Sequence, residues 1–214
     1  MNSENRWVIK VLKDFIISIP PDQDYFCIGS VSLLSFTKDS YSRKIKDIDI
    51  ICDGSNFEQI KNKLKKLRYK QYTFIDKKFP FYKQLIKLAR SKYYRFEKNG
   101  KSLEIMTTDF GSVKNEISVE IYPGIKFTFP SNGVINYSFK KVGIRSISPE
   151  TLYCVYNLSL RTWGRFDKNN IGKRKADLEQ LVKIIDRDKL NKIANNIFLN
   201  IGKIKLKIPI NFIF

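Results

Sequence analysis

The sequence predicts an α+β protein, with a mixed β-sheet flanked by helices over residues 1–147 and a C-terminal helical region over 148–214. Three observations carry this reading. Apolar residues alternate between helical and strand-like spacing through the first part of the chain. The Asn99-Gly100 pair, set between two alternating runs, is a hairpin turn. From Ser148-Pro149-Glu150 onward, helical spacing takes over.

Taken in order, residues 5–19 place Trp7, Val8, Val11, Leu12, Phe15 and Ile16 on one helical face, and Pro20-Pro21 end that helix. Tyr25 to Ile28 reads as a short strand, and Gly29-Ser30 opens a helix to about Lys38. A basic loop leads into the strand 47–52, the turn 53–56 and a lysine-laden helix over 57–68. A strand near 69–76, a helix near 81–90 and the hairpin 93–107 follow. Further strands are expected at 116–122, 125–129 and 134–142, then helices at about 149–161, 172–186 and 188–198. The tail after 200 alternates like a strand.

Forty Lys and Arg against twenty-one Asp and Glu leave a formal net charge of +19, which favours polyanionic partners and nucleic acid above all. The absence of histidine excludes Ser-His-Asp and Cys-His nucleophilic schemes and every zinc site that needs imidazole. Cys27, Cys52 and Cys154 are far apart among apolar residues, as reduced core cysteines are. The first twenty residues are interrupted by charge and lack a small-residue cleavage site, and no apolar run approaches bilayer length. A cytoplasmic protein with no membrane span is therefore expected.

Asp47 and Asp49 stand two apart in a strand flanked by Ile48, Ile50 and Ile51, so both carboxylates leave the same face. Two such charges ~5 Å apart repel by about 3 kcal/mol at an effective dielectric of 20. A bridging Mg²⁺ or Mn²⁺ relieves that repulsion, and hard carboxylate oxygens suit either ion. The plainer alternative pairs these acids with Arg43, Lys44 and Lys46. Gly29-Ser30, where a strand turns into a helix, offers free backbone N–H groups and a hydroxyl, which is a phosphate-binding corner. Ser30 alone would be an ordinary helix cap. For the lysine run 61–70, Phe57, Ile60, Leu64 and Leu67 form an apolar face that would leave the lysines as the solvated side of an amphipathic helix.

The combination Ile28-Gly29-Ser30 followed by Asp47-Ile48-Asp49-Ile50 resembles the signature of the DNA polymerase beta-like nucleotidyltransferase superfamily. The resemblance implies the nucleotidyltransferase fold and a third carboxylate on a following strand. Glu104, just past the Asn99-Gly100 turn, fits best, with Asp109 and Glu120 as rivals. Ser148-Pro149-Glu150-Thr151-Leu152 is similar to the helix start that follows the catalytic sheet in abortive-infection, MenT-type and antibiotic-modifying members. By the same resemblance, the helix with Lys173, Lys175 and Asp177 would contact the nucleotide. The implied activity is transfer of an NMP from an NTP to an acceptor hydroxyl. An RNA or tRNA end, in a toxin-like enzyme with a neutralising antitoxin partner, is the leading acceptor. A small molecule such as an antibiotic, or a non-catalytic nucleic-acid-binding module, is the alternative.

Overall fold

The computed structural model describes residues 5–37, 43–73, 92–108, 110, 115–122, 125–162 and 168–207. Helix α1 (Trp7–Ser18) buries Val8, Val11, Leu12 and Phe15, four positions of the face its periodicity marks. It ends where Pro20 cannot continue the helix, and the chain enters β1 (Tyr25–Ile28) and then α2 (Gly29–Thr37). Strand β2 (Asp47–Asp53), helix α3 (Phe57–Lys66) and strand β3 (Lys70–Thr73) follow. On α3, Phe57, Ile60 and Leu64 are buried while Lys63, Lys65 and Lys66 are exposed, and Lys61 pairs with Glu58 one turn back. The lysine run is thus the solvated side of an amphipathic helix. Truncating Leu64, fully buried, to alanine would cost about 2–5 kcal/mol.

Strands β4 (Lys92–Lys98) and β5 (Lys101–Thr108) form the expected hairpin, with Asn99 and Gly100 both at positive φ in its turn. The two left-handed residues match the strand twist, which is why Asn-Gly is legible there. Strands β6 (Glu116–Tyr122) and β7 (Ile125–Pro130) form a second hairpin. The single strand expected over 134–142 is instead two, β8 (Val134–Phe139) and β9 (Val142–Ile147). Lys140 and Lys141 turn between them at φ +47° and +66°, a left-handed pair built without glycine and so without the usual signal.

Three helices follow: α4 (Pro149–Thr162), α5 (Lys168–Val182) and α6 (Arg187–Asn195). The last two start earlier and end earlier than their periodicity suggests. Then β10 (Phe198–Ile201) and β11 (Ile204–Lys207) close the described chain. The helix expected near 81–90 lies outside the described residues.

The strands form a mixed seven-stranded sheet, ordered β3-β4-β5-β2-β1-β9-β8, and a four-stranded sheet, ordered β11-β10-β7-β6. In the large sheet β2 runs parallel to β5 and β1 parallel to β9, while the other pairs are antiparallel. Residues 148–214 therefore contribute three helices and also a hairpin that extends the sheet begun by β6 and β7. Helix α1 packs on α3 and β9; α2 packs on β1 and β2 and meets α4 and α5. Among the described residues, no helix is long and apolar enough to cross a membrane.

Candidate active site

The centre of the large sheet gathers the acidic residues. Asp47 and Asp49 lie two apart at the start of β2, and parallel pairing with β5 sets Asp49 beside Glu104 and Asp47 beside Ser102. Adjacent strands lie about 4.8 Å apart, so the three carboxylates occupy neighbouring positions of one sheet face. Burial and neighbouring charge alter the acidity of Asp49 and Glu104. Burial, then Asp47, then Glu104 push the Asp49 carboxyl up to about 7, against the pull of Arg174 and Lys173. Burial and Asp47 also raise Glu104, opposed by Arg95. Arg95 lies opposite Glu104 on β4, with Nη1 3.5 Å from Oε1; its Nε binds Glu97 at 2.7 Å and its Nη2 donates to Ser102 Oγ at 2.8 Å.

Gly29 closes the same centre from the other side. Antiparallel pairing of β1 with β2 puts Ile28 opposite Asp49, and Gly29 follows at φ +69°. A Cβ at this position would lie 2.5 Å from Asp49 Oδ2. Glycine is required twice over, for the left-handed turn and for the backbone's approach to a carboxylate. Ser30 is buried at the first turn of α2, and its Oγ accepts a hydrogen bond from Arg43 Nη2 at 2.9 Å.

The same Arg43 nitrogen pairs with Asp177 Oδ2 at 3.1 Å, the Asp177 side chain being only 5% exposed. Arg43 therefore ties the glycine-serine corner to α5. Burial raises the Asp177 carboxyl while Arg43, Arg174 and Lys173 lower it. Lys173 is held below the ordinary lysine range by desolvation and by the charges of Arg43 and Arg174, against Asp47 and Asp177. Arg174 lays its guanidinium over the Tyr156 ring at 4.2 Å, which fixes a cation on the side of the acids.

Of the residues the sequence singles out, Gly29, Ser30, Asp47, Asp49 and Glu104 are brought together, with Lys173 and Asp177 at the margin. Lys175 is exposed and enters none of these charge contacts. Glu120 is buried on β6 of the other sheet, opposite Lys126, with its backbone N–H on the Thr108 hydroxyl at the C-terminal end of β5. Asp109 lies outside the described residues. Two cations of the site are not ranked by the sequence: Arg43 enters it only as an alternative partner of the acids, and Arg174 only as one member of the basic run 173–175. Arg43 stands in the basic loop between Ser30 and Asp47, and Arg174 sits between Lys173 and Lys175 on its helix. Their place in basic runs is the available signal, but nothing in the runs ranks one cation above its neighbours. Ser148-Pro149-Glu150 has a structural task. Ser148 Oγ accepts the Thr151 N–H as the cap of α4, while Glu150 accepts the Asp186 N–H and pairs with Lys189, joining α4 to α6.

A strand running into Gly-Ser at a helix start, beside a strand bearing two acids and paired in register to a third, is the arrangement of the nucleotidyltransferase fold. Solved structures with that fold match the chain along most of its length. One is the lincosamide antibiotic adenylyltransferase LnuA in its lincomycin-bound form, 16% identical with a TM-score of 0.56, covering 86% of this chain and 98% of that one. Another is ANT(2″)-Ia in complex with adenylyl-2″-tobramycin, 10% identical with a TM-score of 0.57, covering 89% of this chain and 94% of that one. A third is an antigenic nucleotidyltransferase-like protein from Paracoccidioides brasiliensis, 12% identical with a TM-score of 0.52, covering 89% and 85%. At these identities the likeness is one of fold. No protein-family model matches the chain. No curated protein matches it either.

Proposed function

We propose that this protein is a nucleotidyltransferase dependent on a divalent cation, moving an NMP from an NTP to an acceptor hydroxyl. The observation that carries the reading is the register of Asp49 with Glu104 beside Asp47, with the Gly29 backbone pressed against Asp49. Asp49, pushed up to about 7 by burial first and then by Asp47 and Glu104, has an electrostatic need that Mg²⁺ or Mn²⁺ meets. Among the described residues, no three acidic or thiol groups already stand at metal-ligand spacing, so the cation is part of the proposal. Asp47, Asp49 and Glu104 are the residues that would hold it. When bound, it supplies charge neutralisation at the transferred phosphate and lowers the pKa of the attacking hydroxyl.

The remaining work falls to the chain. The α2 N-terminus and Ser30 Oγ receive terminal phosphate oxygens through N–H and O–H donors. Arg43, Lys173 and Arg174 place positive charge where pyrophosphate leaves. The acceptor oxygen bonds to the α-phosphorus as the bond to the bridging pyrophosphate oxygen breaks.

For the acceptor, the neighbouring folds favour a small hydroxylated molecule, since one holds lincomycin and another an adenylylated tobramycin. A second reading, an RNA or tRNA end, rests on the net charge of +19. A toxin-like role with an antitoxin partner rests on sequence resemblance alone. The test is incubation with Mg²⁺ and each NTP radiolabelled at the α-phosphate, against a panel of lincosamides and aminoglycosides and against total RNA. Label should move to one acceptor class and stay on the NTP with Asp47→Ala/Asp49→Ala. Absence of nucleotide binding in the native protein would overturn the enzymatic reading.

A further inference from the structure

A second charged feature lies outside the carboxylate centre. Arg6, Lys10 and Lys13 share one face along α1, and with Ile9 and Lys140 of the β8–β9 turn they line an open depression of about 580 Å³. All four cations are exposed, and among the described residues no acidic side chain lines the depression. Among the described residues, Arg6, Lys10 and Lys13 enter no ion pair. Four lysines elsewhere, Lys61, Lys98, Lys189 and Lys205, each hold a carboxylate. Asp14, the acid next in sequence to Lys13, is held instead by Lys98 and the Tyr69 hydroxyl.

We propose that this groove binds the phosphodiester backbone of single-stranded RNA. The charges form a line, whereas a lone phosphate needs donors that converge on a point. At 1.5 Å of rise per residue, Arg6 to Lys13 spans about 10 Å along α1, so the charges are spread over the length of more than one backbone phosphate. Ile9 supplies an apolar surface between the cations for a sugar or base edge. The line also leads somewhere. Buried Asn5, the residue before Arg6, donates from its amide to the Arg43 carbonyl at 3.0 Å and accepts the Ile45 N–H at 2.9 Å. The start of the stripe is therefore clamped to the segment that enters β2 just before Asp47. The backbone segment held there continues directly into the strand that carries Asp47 and Asp49. The inference deepens the RNA reading of the acceptor and rests on it for its purpose, though its test does not require transfer.

Fluorescence anisotropy with a labelled single-stranded RNA of mixed sequence, in EDTA and without NTP, reads binding alone. Arg6→Gln/Lys10→Gln/Lys13→Gln should weaken binding at least ten-fold and flatten the slope of log affinity against log salt by about two. Lys63→Gln/Lys65→Gln/Lys66→Gln on α3 removes equal charge and should cost less than about three-fold. Lys10→Glu alone, with thermal melting of every variant, guards against a folding defect. Equal losses in both triple variants would reduce the effect to net charge and overturn the proposal. So would unchanged binding in the α1 variant, or a groove that captures anionic phosphatidylglycerol vesicles or inorganic phosphate in preference to RNA. Loss of the groove's RNA binding with transfer to a small acceptor intact, or the converse, separates this inference from the transferase reading.

Discussion

Replacing Asp49 by asparagine should make the cation-free protein more stable, and only above mild acidity. The Asp49 carboxyl is raised from 3.8 to about 7, by burial first and by Asp47 and Glu104 after it. An acid whose folded pKa lies above its unfolded one favours the fold while protonated in both states. That contribution is lost as pH climbs from about 4 through about 7. The rise from 3.8 to about 7 corresponds to about 4 kcal/mol at most, and partial solvent access at this position brings the expected gain nearer 2 kcal/mol. Equilibrium urea unfolding in EDTA should show Asp49→Asn above the native protein by that amount at pH 8, with the gap closing toward pH 4. In a thermal scan this is a rise of about 4–8 °C, at about 2–4 °C per kcal/mol for a chain of this size. Millimolar Mg²⁺ should narrow the gap by stabilising the native protein. A variant less stable than the native protein at pH 8, or an advantage that ignores pH, would refute the claim that these carboxylates are held against their repulsion.

Gly29→Ala should destabilise the fold by about 1–3 kcal/mol through its positive φ and push the Asp49 carboxylate aside, abolishing transfer measured with labelled NTP. Arg43→Gln leaves the buried Asp177 carboxylate without its guanidinium partner. A loss of about 2 kcal/mol in chemical denaturation and a rise in nucleotide KM larger than any fall in kcat are expected, with Asp177→Asn restoring part of the stability. Cys27, Cys52 and Cys154 are buried, with thiols pushed up to about 12, so a disulfide-exchange reagent at pH 8 should label none of them until denaturant is added.

Local chemistry makes part of this protein legible in its amino-acid sequence. Gly29-Ser30 between an apolar strand and a helix, and Asp47 and Asp49 alternating with isoleucines, reflect constraints acting within a few residues: a left-handed turn and the two-residue period of a strand. The Asn99-Gly100 turn sets the register of its own hairpin and so the side of Glu104. The lysines of α3 can be read as solvated because their apolar partners follow the helical period.

The rest depends on pairing between distant segments, where many arrangements satisfy the same local rules. Nothing near Glu104 states that β5 will lie parallel to β2 with Glu104 beside Asp49; nothing near Glu120 states that its strand will join another sheet. The turn at Lys140-Lys141 carries no glycine, so the strand expected over 134–142 runs across it and β9 beyond it goes unread, although it lies next to β1 in the central sheet. Arg43 meets Asp177 across 134 residues of sequence, and Arg174 is one cation among several until Tyr156 holds it in place. The amino-acid pattern alone is enough to place Gly29-Ser30 at a strand-to-helix turn and Asp47 and Asp49 on one face of a strand. The placing of Glu104 beside Asp49, and of Arg43 and Arg174 near them, comes from sheet register and helix packing and not from any neighbour in the chain.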